Sequence, residues 1–216
     1  MGSILIVPSG CNNEDESPAN ITVIDIDNNI YHTVIIGSQI WTVENLKTTK
    51  YNDGTDIPNI TDSVTWGNLA SGAYCNYGNK EENAEIYGRL YNWAAVNTGK
   101  LAPIGWHVPT DAEWTTLTDY LGGEEIAGGK LKEEGTVHWK EPNLVETKVT
   151  GFNALPGGHR YFNGFWSGFG EAALWWSATE YDTYRAWFRS LGNDVTSIRR
   201  DPYFKGNGFS VRCVKD

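Results

Sequence analysis

Apolar positions along this chain fall into short runs with two periods. Residues 21–26 and 30–36 alternate or run apolar around Asp27-Asn28-Asn29, a cluster of turn formers, and this predicts a β-hairpin. Residues 39–43 are expected to continue the sheet after Gly37-Ser38. From 47 to 80, Asn, Asp, Thr and Gly dominate around isolated Trp66, Tyr74 and Tyr77, a composition of long loops with at most a short strand. Tyr87, Leu90, Tyr91 and Ala94 fall at i, i+3, i+4 and i+7, and Gly99 follows as a stop, so a helix is predicted over 84–97. Thr110-Asp111-Ala112-Glu113 is a capping box, and Trp114, Leu117, Tyr120 and Leu121 form the buried face of the helix it opens, closed by Gly122-Gly123.

The remainder is rich in aromatics and glycine. A short helical piece and loop are expected over 128–139, a strand running into a Gly-rich turn over 151–160, and an aromatic loop, YFNGFWSGFG, over 161–170. Residues 175–179 and 209–214 have the short apolar pattern of core strands. Between them, residues 181–207 mix charges of both signs with large aromatics and fit neither period. That segment is expected to be an irregular contact surface.

Composition narrows the class. With 216 residues, 40% hydrophobic and 20% charged, the chain can bury one sizeable core, so a single domain over 21–216 is expected behind an acidic linker within 1–20. A net charge of −10 repels a phosphate backbone, which argues against nucleic acid as a partner. No apolar run is long enough to span a bilayer.

Three cysteines, Cys11, Cys75 and Cys213, lack zinc or redox spacing. Cys11 follows a short apolar run and small residues and precedes Asn12-Asn13-Glu14-Asp15-Glu16. This resembles the cleavage box of a bacterial lipoprotein, although Pro8 stands where such boxes usually carry Leu. Lipidation at Cys11 is therefore an expectation, with an ordinary N-terminal tail as the alternative. If the chain is exported, Cys75 and Cys213 are a candidate disulfide, with two separate buried thiols as the alternative.

Six segments together resemble the Fibrobacter succinogenes major paralogous domain, a family of exported and often lipid-anchored bacterial proteins. They are IWTVENL at 40–46, YGRLYNWAAV at 87–96, GWHVPTDAEW at 105–114, GFNALPGGHR at 151–160, WWSATE at 175–180 and GFSVRCVKD at 208–216. The resemblance implies an α+β, C-type lectin-like fold, with two helices flanking a small mixed or antiparallel sheet and long irregular loops. It also implies a location at the outer membrane or cell surface, reached through a lipid anchor only. Proteins of this fold often serve as targets of diversity-generating retroelements, and the segment between WWSATE and GFSVRCV has that layout.

The expected function is a non-catalytic, adhesin-like surface lipoprotein that binds a glycan or protein. Its binding residues are expected to be Tyr161, Phe162, Phe165, Trp166, Tyr181, Asp182, Tyr184, Arg185, Arg189, Asn193, Asp194, Arg199, Arg200, Tyr203 and Phe204. The alternative is an assembly subunit of a pilus or outer-membrane complex. The family is also similar in pattern to the formylglycine-generating enzymes, which use paired cysteines in the C-terminal half; here that half holds only Cys213. No catalytic residue, metal site or cofactor is expected. His32, His107, His138 and His159 lack metal spacing. Glu141-Pro142-Asn143 resembles the calcium-dependent sugar site of animal C-type lectins, but the partner Trp-Asn-Asp motif is missing and Asn193-Asp194 is a distant substitute. Asp53, Asp56 and Asp62 read as solvated turn residues, which leaves calcium as the one candidate ion.

Overall fold

The computed structural model describes residues 22–146 and 150–216. Cys11 and the acidic linker lie outside the described residues. The architecture is α+β. The chain opens with β1 (Thr22–Ile24), β2 (Ile30–Ile36) and β3 (Gln39–Thr42), an antiparallel meander whose first turn places Asn28 at φ 66°. Asp25 holds that turn: its carboxylate accepts from the amides of Asp27 and Asn29 and from the Tyr31 hydroxyl. A short helix α1 (Ser63–Gly67), capped by Asp62, interrupts the long polar stretch.

The helix expected over 84–97 is not one helix. It divides into α2 (Glu81–Tyr87), a strand and α3 (Trp93–Val96), because Gly88 takes φ 79°. At Gly88 a Cβ would stand 2.6 Å from the Asn45 Cβ, so the break needs glycine and brings the chain against 45–46. Leu90 and Tyr91 are buried as a strand, β5 (Leu90–Tyr91), paired to β4 (Tyr74–Cys75). Of the expected stripe, Tyr87 lies in α2 and half-buried Ala94 in α3, while Leu90 and Tyr91 serve the strand, whose Tyr91 amide donates to the Phe209 carbonyl.

After β6 (Trp106–His107) comes α4 (Asp111–Tyr120), with the capping box formed on both sides: the Thr110 hydroxyl accepts from the Glu113 amide and Glu113 accepts from the Thr110 amide. Two residues, Gly122 and Gly123, separate the C-cap Leu121 of α4 from helix α5 (Glu124–Leu131), which begins earlier than the expected piece at 128. The chain then forms a hairpin of β7 (Gly157–Arg160) and β8 (Trp166–Phe169), so the aromatic stretch at 161–170 is half strand rather than loop.

Residues 181–207 are the largest correction. They are not an irregular surface: β9 (Ala172–Glu180), β10 (Arg185–Gly192) and β11 (Arg199–Phe204) make a three-stranded antiparallel sheet in the order β11-β10-β9. A register irregularity between Ala186 and Phe188 accompanies the mixed pattern. The last strand, β12 (Val214–Lys215), enters the first sheet between β3 and β6 and completes the order β1-β2-β3-β12-β6.

Two cores lie on either side of the three-stranded sheet. Successive residues of a strand point to opposite faces, so Trp175 joins one core with Trp41, Trp114 and Phe152 under α4 and α5, while Trp176 joins the other with Phe188, Phe209 and Val211. Burial on both faces explains why β9 reads as a continuous apolar run. Cys75 and Cys213 are separate buried free thiols, Cys75 beside Trp66 and Leu90 and Cys213 in the core of Trp176, so the candidate disulfide is not formed.

Three arginines are fully buried. Arg212 donates to the Asn45 side chain and to the carbonyls of Thr42, Phe152 and Asn153, with burial drawing its pKa down to about 9. Arg160 lies between the Trp66 and Trp166 rings, 4.7 Å from each centroid, and donates to the carbonyls of Ile60, Thr61 and Gly164. Arg189 is discussed below.

Candidate binding site

The register of the three-stranded sheet determines which side chains meet. Ala186, Phe188 and Ser190 of β10 stand opposite Tyr203, Asp201 and Arg199 of β11, and Phe188 and Ser190 stand opposite Trp176 and Leu174 of β9. Directly opposed residues share a face. This face is roofed by the end of β7 and by the segment that follows β11, and between them lies a half-open cavity of about 150 Å³. Its lining is His159, Tyr161, Leu174, Phe188, Ser190, Arg199, Tyr203 and Phe209. The rings interlock: Phe188 and Phe209 centroids are 5.2 Å apart, Phe188 and Tyr203 5.6 Å, and His159 and Tyr161 4.6 Å.

His159 is 9% exposed, and its Nδ1 is buried without a hydrogen-bond partner. Burial pushes the imidazole down to about 4, so the ring is neutral at physiological pH. An orphaned buried N–H costs more than an orphaned lone pair, which places the single proton on Nε2 and makes that atom a donor. The other three histidines are tied to carboxylates: His32 to Glu44, His107 to Glu113 and Asp216, and His138 to Glu133.

The expected site residues separate into groups. Tyr161, Arg199 and Tyr203 line the cavity. Phe162, Phe165 and Phe204 are exposed beside it, with the Phe162 and Phe204 rings 5.3 Å apart. Arg199 is held by Asp201 through a paired contact. On the opposite face, Arg185 stacks over Tyr181, Tyr181 meets Trp187 edge-on, and Arg200 lies 3.8 Å from the Trp187 centroid. Asp182 shapes the β9–β10 turn by accepting from the amides of Tyr184 and Arg185, and Tyr184 is exposed.

Three expected binders are committed to the fold instead. Arg189 is 1% exposed and bonds the Asp111 carboxylate at 2.7 Å, so it secures α4 to β10. Asn193 donates to the carbonyls of Lys140 and Glu141 and stands with Asp194 in the β10–β11 turn, outside the cavity. Trp166 packs on Arg160 and Tyr77. In the Glu141-Pro142-Asn143 stretch, Asn143 is buried and donates to the carbonyls of Glu133 and Gly135. Among the described residues, no three His, Cys, Asp or Glu side chains converge as a metal-binding group.

His159, Ser190, Phe188 and Phe209 were not singled out for the site by sequence. The available signal was the alternation Ala186/Phe188/Ser190, which becomes readable once 185–192 is taken as a strand.

Residues 34–215 match the Fibrobacter succinogenes major domain. Neither a curated protein nor a solved structure matches the chain. With the match running from within β2 to the end of β12, the chain belongs to the Fibrobacter succinogenes major domain family.

Proposed function

We propose that this protein is a non-catalytic, adhesin-like surface lipoprotein that binds a glycan or a protein at the β11 end of the three-stranded sheet. The carrying observation is the juxtaposition of an aromatic cavity with exposed Phe162, Phe165 and Phe204 at its side. Concave aromatic sites with a few polar groups are where ligands are held, and exposed aromatic side chains supply contact area at low entropic cost. His159 Nδ1 has no hydrogen-bond partner among the described residues, so nothing on that side orients the ring as a general base. A formylglycine-generating activity has the least support, because the Cys213 thiol is pushed up by burial and is the one cysteine of the C-terminal half.

The reading includes a C-type lectin-like fold, anchorage through a lipid on Cys11, and a segment 181–207 open to rewriting by a diversity-generating retroelement. The exposure of Tyr184, Arg199 and Phe204 favours such tolerance, whereas buried Ala186, Phe188 and Arg189 restrict it to part of the segment. Deep sequencing of codons 175–213 across a clonal population tests this: substitutions concentrated at exposed positions between framing strands support it, and a uniform sequence removes it.

A second reading is an assembly subunit of a pilus or outer-membrane complex, favoured by the same exposed phenylalanines. Replacing Phe162 and Phe204 by Ser discriminates. Under the binding reading, the variant loses retention on a glycan array or on captured protein ligand with its melting temperature unchanged. A stoichiometric partner copurifying from native membranes, with no soluble ligand bound, selects assembly. Full ligand retention by the variant defeats the assignment of this face.

A further inference from the structure

We infer that the cavity between the β10–β11 face and the end of β7 holds one neutral pyranose ring, the terminal sugar of a glycan, through uncommitted hydroxyl groups and an imidazole. This deepens the binding reading above and rests on it.

Four polar side chains face this problem together. His159, Tyr161, Ser190 and Tyr203 all line the cavity, and none makes a side-chain hydrogen bond to the protein among the described residues. The two wholly buried tyrosines contrast with them: the Tyr31 hydroxyl binds Asp25 and the Tyr91 hydroxyl the Thr48 carbonyl, whereas the cavity hydroxyls, like those of Tyr51, Tyr74 and Tyr87, are left to solvent or a ligand. Polar groups at a partly enclosed site that lack protein partners are groups that wait for a ligand or for water.

The occupant's chemistry follows from what the lining offers. A volume of about 150 Å³ admits a single six-membered ring, and the half-open mouth leaves room for the rest of a chain outside. Phe188 and Phe209 form an almost fully buried floor, and the part-exposed rings of Tyr161 and Tyr203 supply the apolar surface for the C–H face of such a ring. Charge argues for neutrality. Arg199 is the one cation of the lining and is already paired with Asp201, so neither an anion nor a cation finds an uncompensated opposite charge. A plain aromatic ring would fill the volume and seal three hydroxyls and an imidazole from water without partners, which is unfavourable for each. A sugar satisfies both requirements, because its hydroxyls donate and accept around the edge of an apolar face. With the lining's nearest carboxylate already held by Arg199, a bridging calcium would find too few oxygen donors there.

The test uses the full chain and a panel of neutral methyl pyranosides of gluco, galacto, manno, xylo, fuco and N-acetylhexosamine type, read by saturation-transfer NMR and calorimetry. At least one sugar is expected to bind at one site, equally with and without EDTA, and equally at pH 5.5 and pH 8 because His159 stays neutral across that range. The isosteric variants Tyr161→Phe and Tyr203→Phe each remove one hydroxyl and are expected to weaken binding about tenfold. Ser190→Leu fills the cavity and is expected to abolish binding, with the far-ultraviolet spectrum unchanged. Silence from the whole panel, or a bound sugar indifferent to all three variants, overturns the inference. If the chain then still retains a protein or a longer glycan, the binding reading stands without the cavity; if it retains nothing, both fall.

Discussion

Asp111→Ala is expected to destabilise the protein severely even though Asp111 lies outside the cavity. Its carboxylate takes Arg189 and Arg200, each at 2.7 Å, and Arg189 is 1% exposed. Without the carboxylate, the buried guanidinium keeps only neutral acceptors: the Phe188 and Asp111 carbonyls and the Thr115 hydroxyl. Breaking a buried pair from one side costs about 3–5 kcal/mol, and these surviving acceptors place the variant near the low end, about 3 kcal/mol. At about 2–4 °C per kcal/mol for a domain of this size, the melting temperature should fall by about 6–12 °C. Adding Arg189→Met removes the stranded charge and should recover about half of the loss.

Acid adds a second reading of the same variant. Burial alone would raise the Asp111 carboxyl, but hydrogen bonds from Arg200 and Arg189 outweigh it and hold the folded pKa below the usual 3.8. A depressed carboxyl contributes stability above its unfolded pKa and loses it as the pH falls through the folded value. The gap between the natural chain and Asp111→Ala should thus be full at pH 7 and narrow below about pH 4. Urea unfolding followed by tryptophan fluorescence measures it. A gap under about 0.5 kcal/mol at pH 7, or a double variant no more stable than the single, refutes the argument.

Gly158 takes φ 64° and a Cβ there would stand 2.6 Å from the Ser167 carbonyl oxygen, whereas Gly99, at φ 67°, has open space around it. Gly158→Ala should therefore cost clearly more than Gly99→Ala, about 2–4 kcal/mol against about 1, and equal costs by urea titration would contradict the close packing. Arg160→Met strands the carbonyls of Ile60 and Thr61 and should cost about 3 kcal/mol, with faster limited proteolysis at 60–61; unchanged cleavage counts against the clip. Cys75 is pushed up to about 12 by burial and Cys213 is likewise raised, so both thiols should resist Ellman's reagent at pH 8 until guanidinium unfolds the chain. Dithiothreitol should leave the melting temperature unchanged, and a reducible Cys75–Cys213 crosslink in mass spectra overturns that account.

What could be read in advance was local. The capping box was legible because Thr110 and Glu113 satisfy each other within one turn. The first hairpin was legible because Asp25 and Asn28 define its turn a few residues apart. Tyr87, Leu90 and Tyr91 misled because burial at helical spacing does not reveal that the buried partner is Phe209, 118 positions after Tyr91. Residues 185–192 misled for a related reason: Arg189 sits at a core position of a strand only because Asp111, 78 positions earlier, meets it there. The cavity was the least legible feature, since it exists only where the β10–β11 register meets His159, and an isolated His in a Gly-rich stretch carries no sign of lacking a partner.

β11 is an edge strand, bonded to β10 on one side only. Its even and odd positions lead different lives: Arg199, Asp201 and Tyr203 look toward the cavity, while Arg200 is tied to Asp111 and Pro202 cannot offer an amide to a passing chain. In evolutionary terms the strand is a short tape with two letters, 200 and 202, protected. Substitutions at 199, 201 and 203 leave the Arg200–Asp111 pair and the Pro202 block to edge pairing in place, so a version altered there stays folded and unaggregated. With exposed Phe204 at its end, β11 thus has four positions at which change avoids the Asp111 pair and the proline, against two, Arg200 and Pro202, that hold the strand in place.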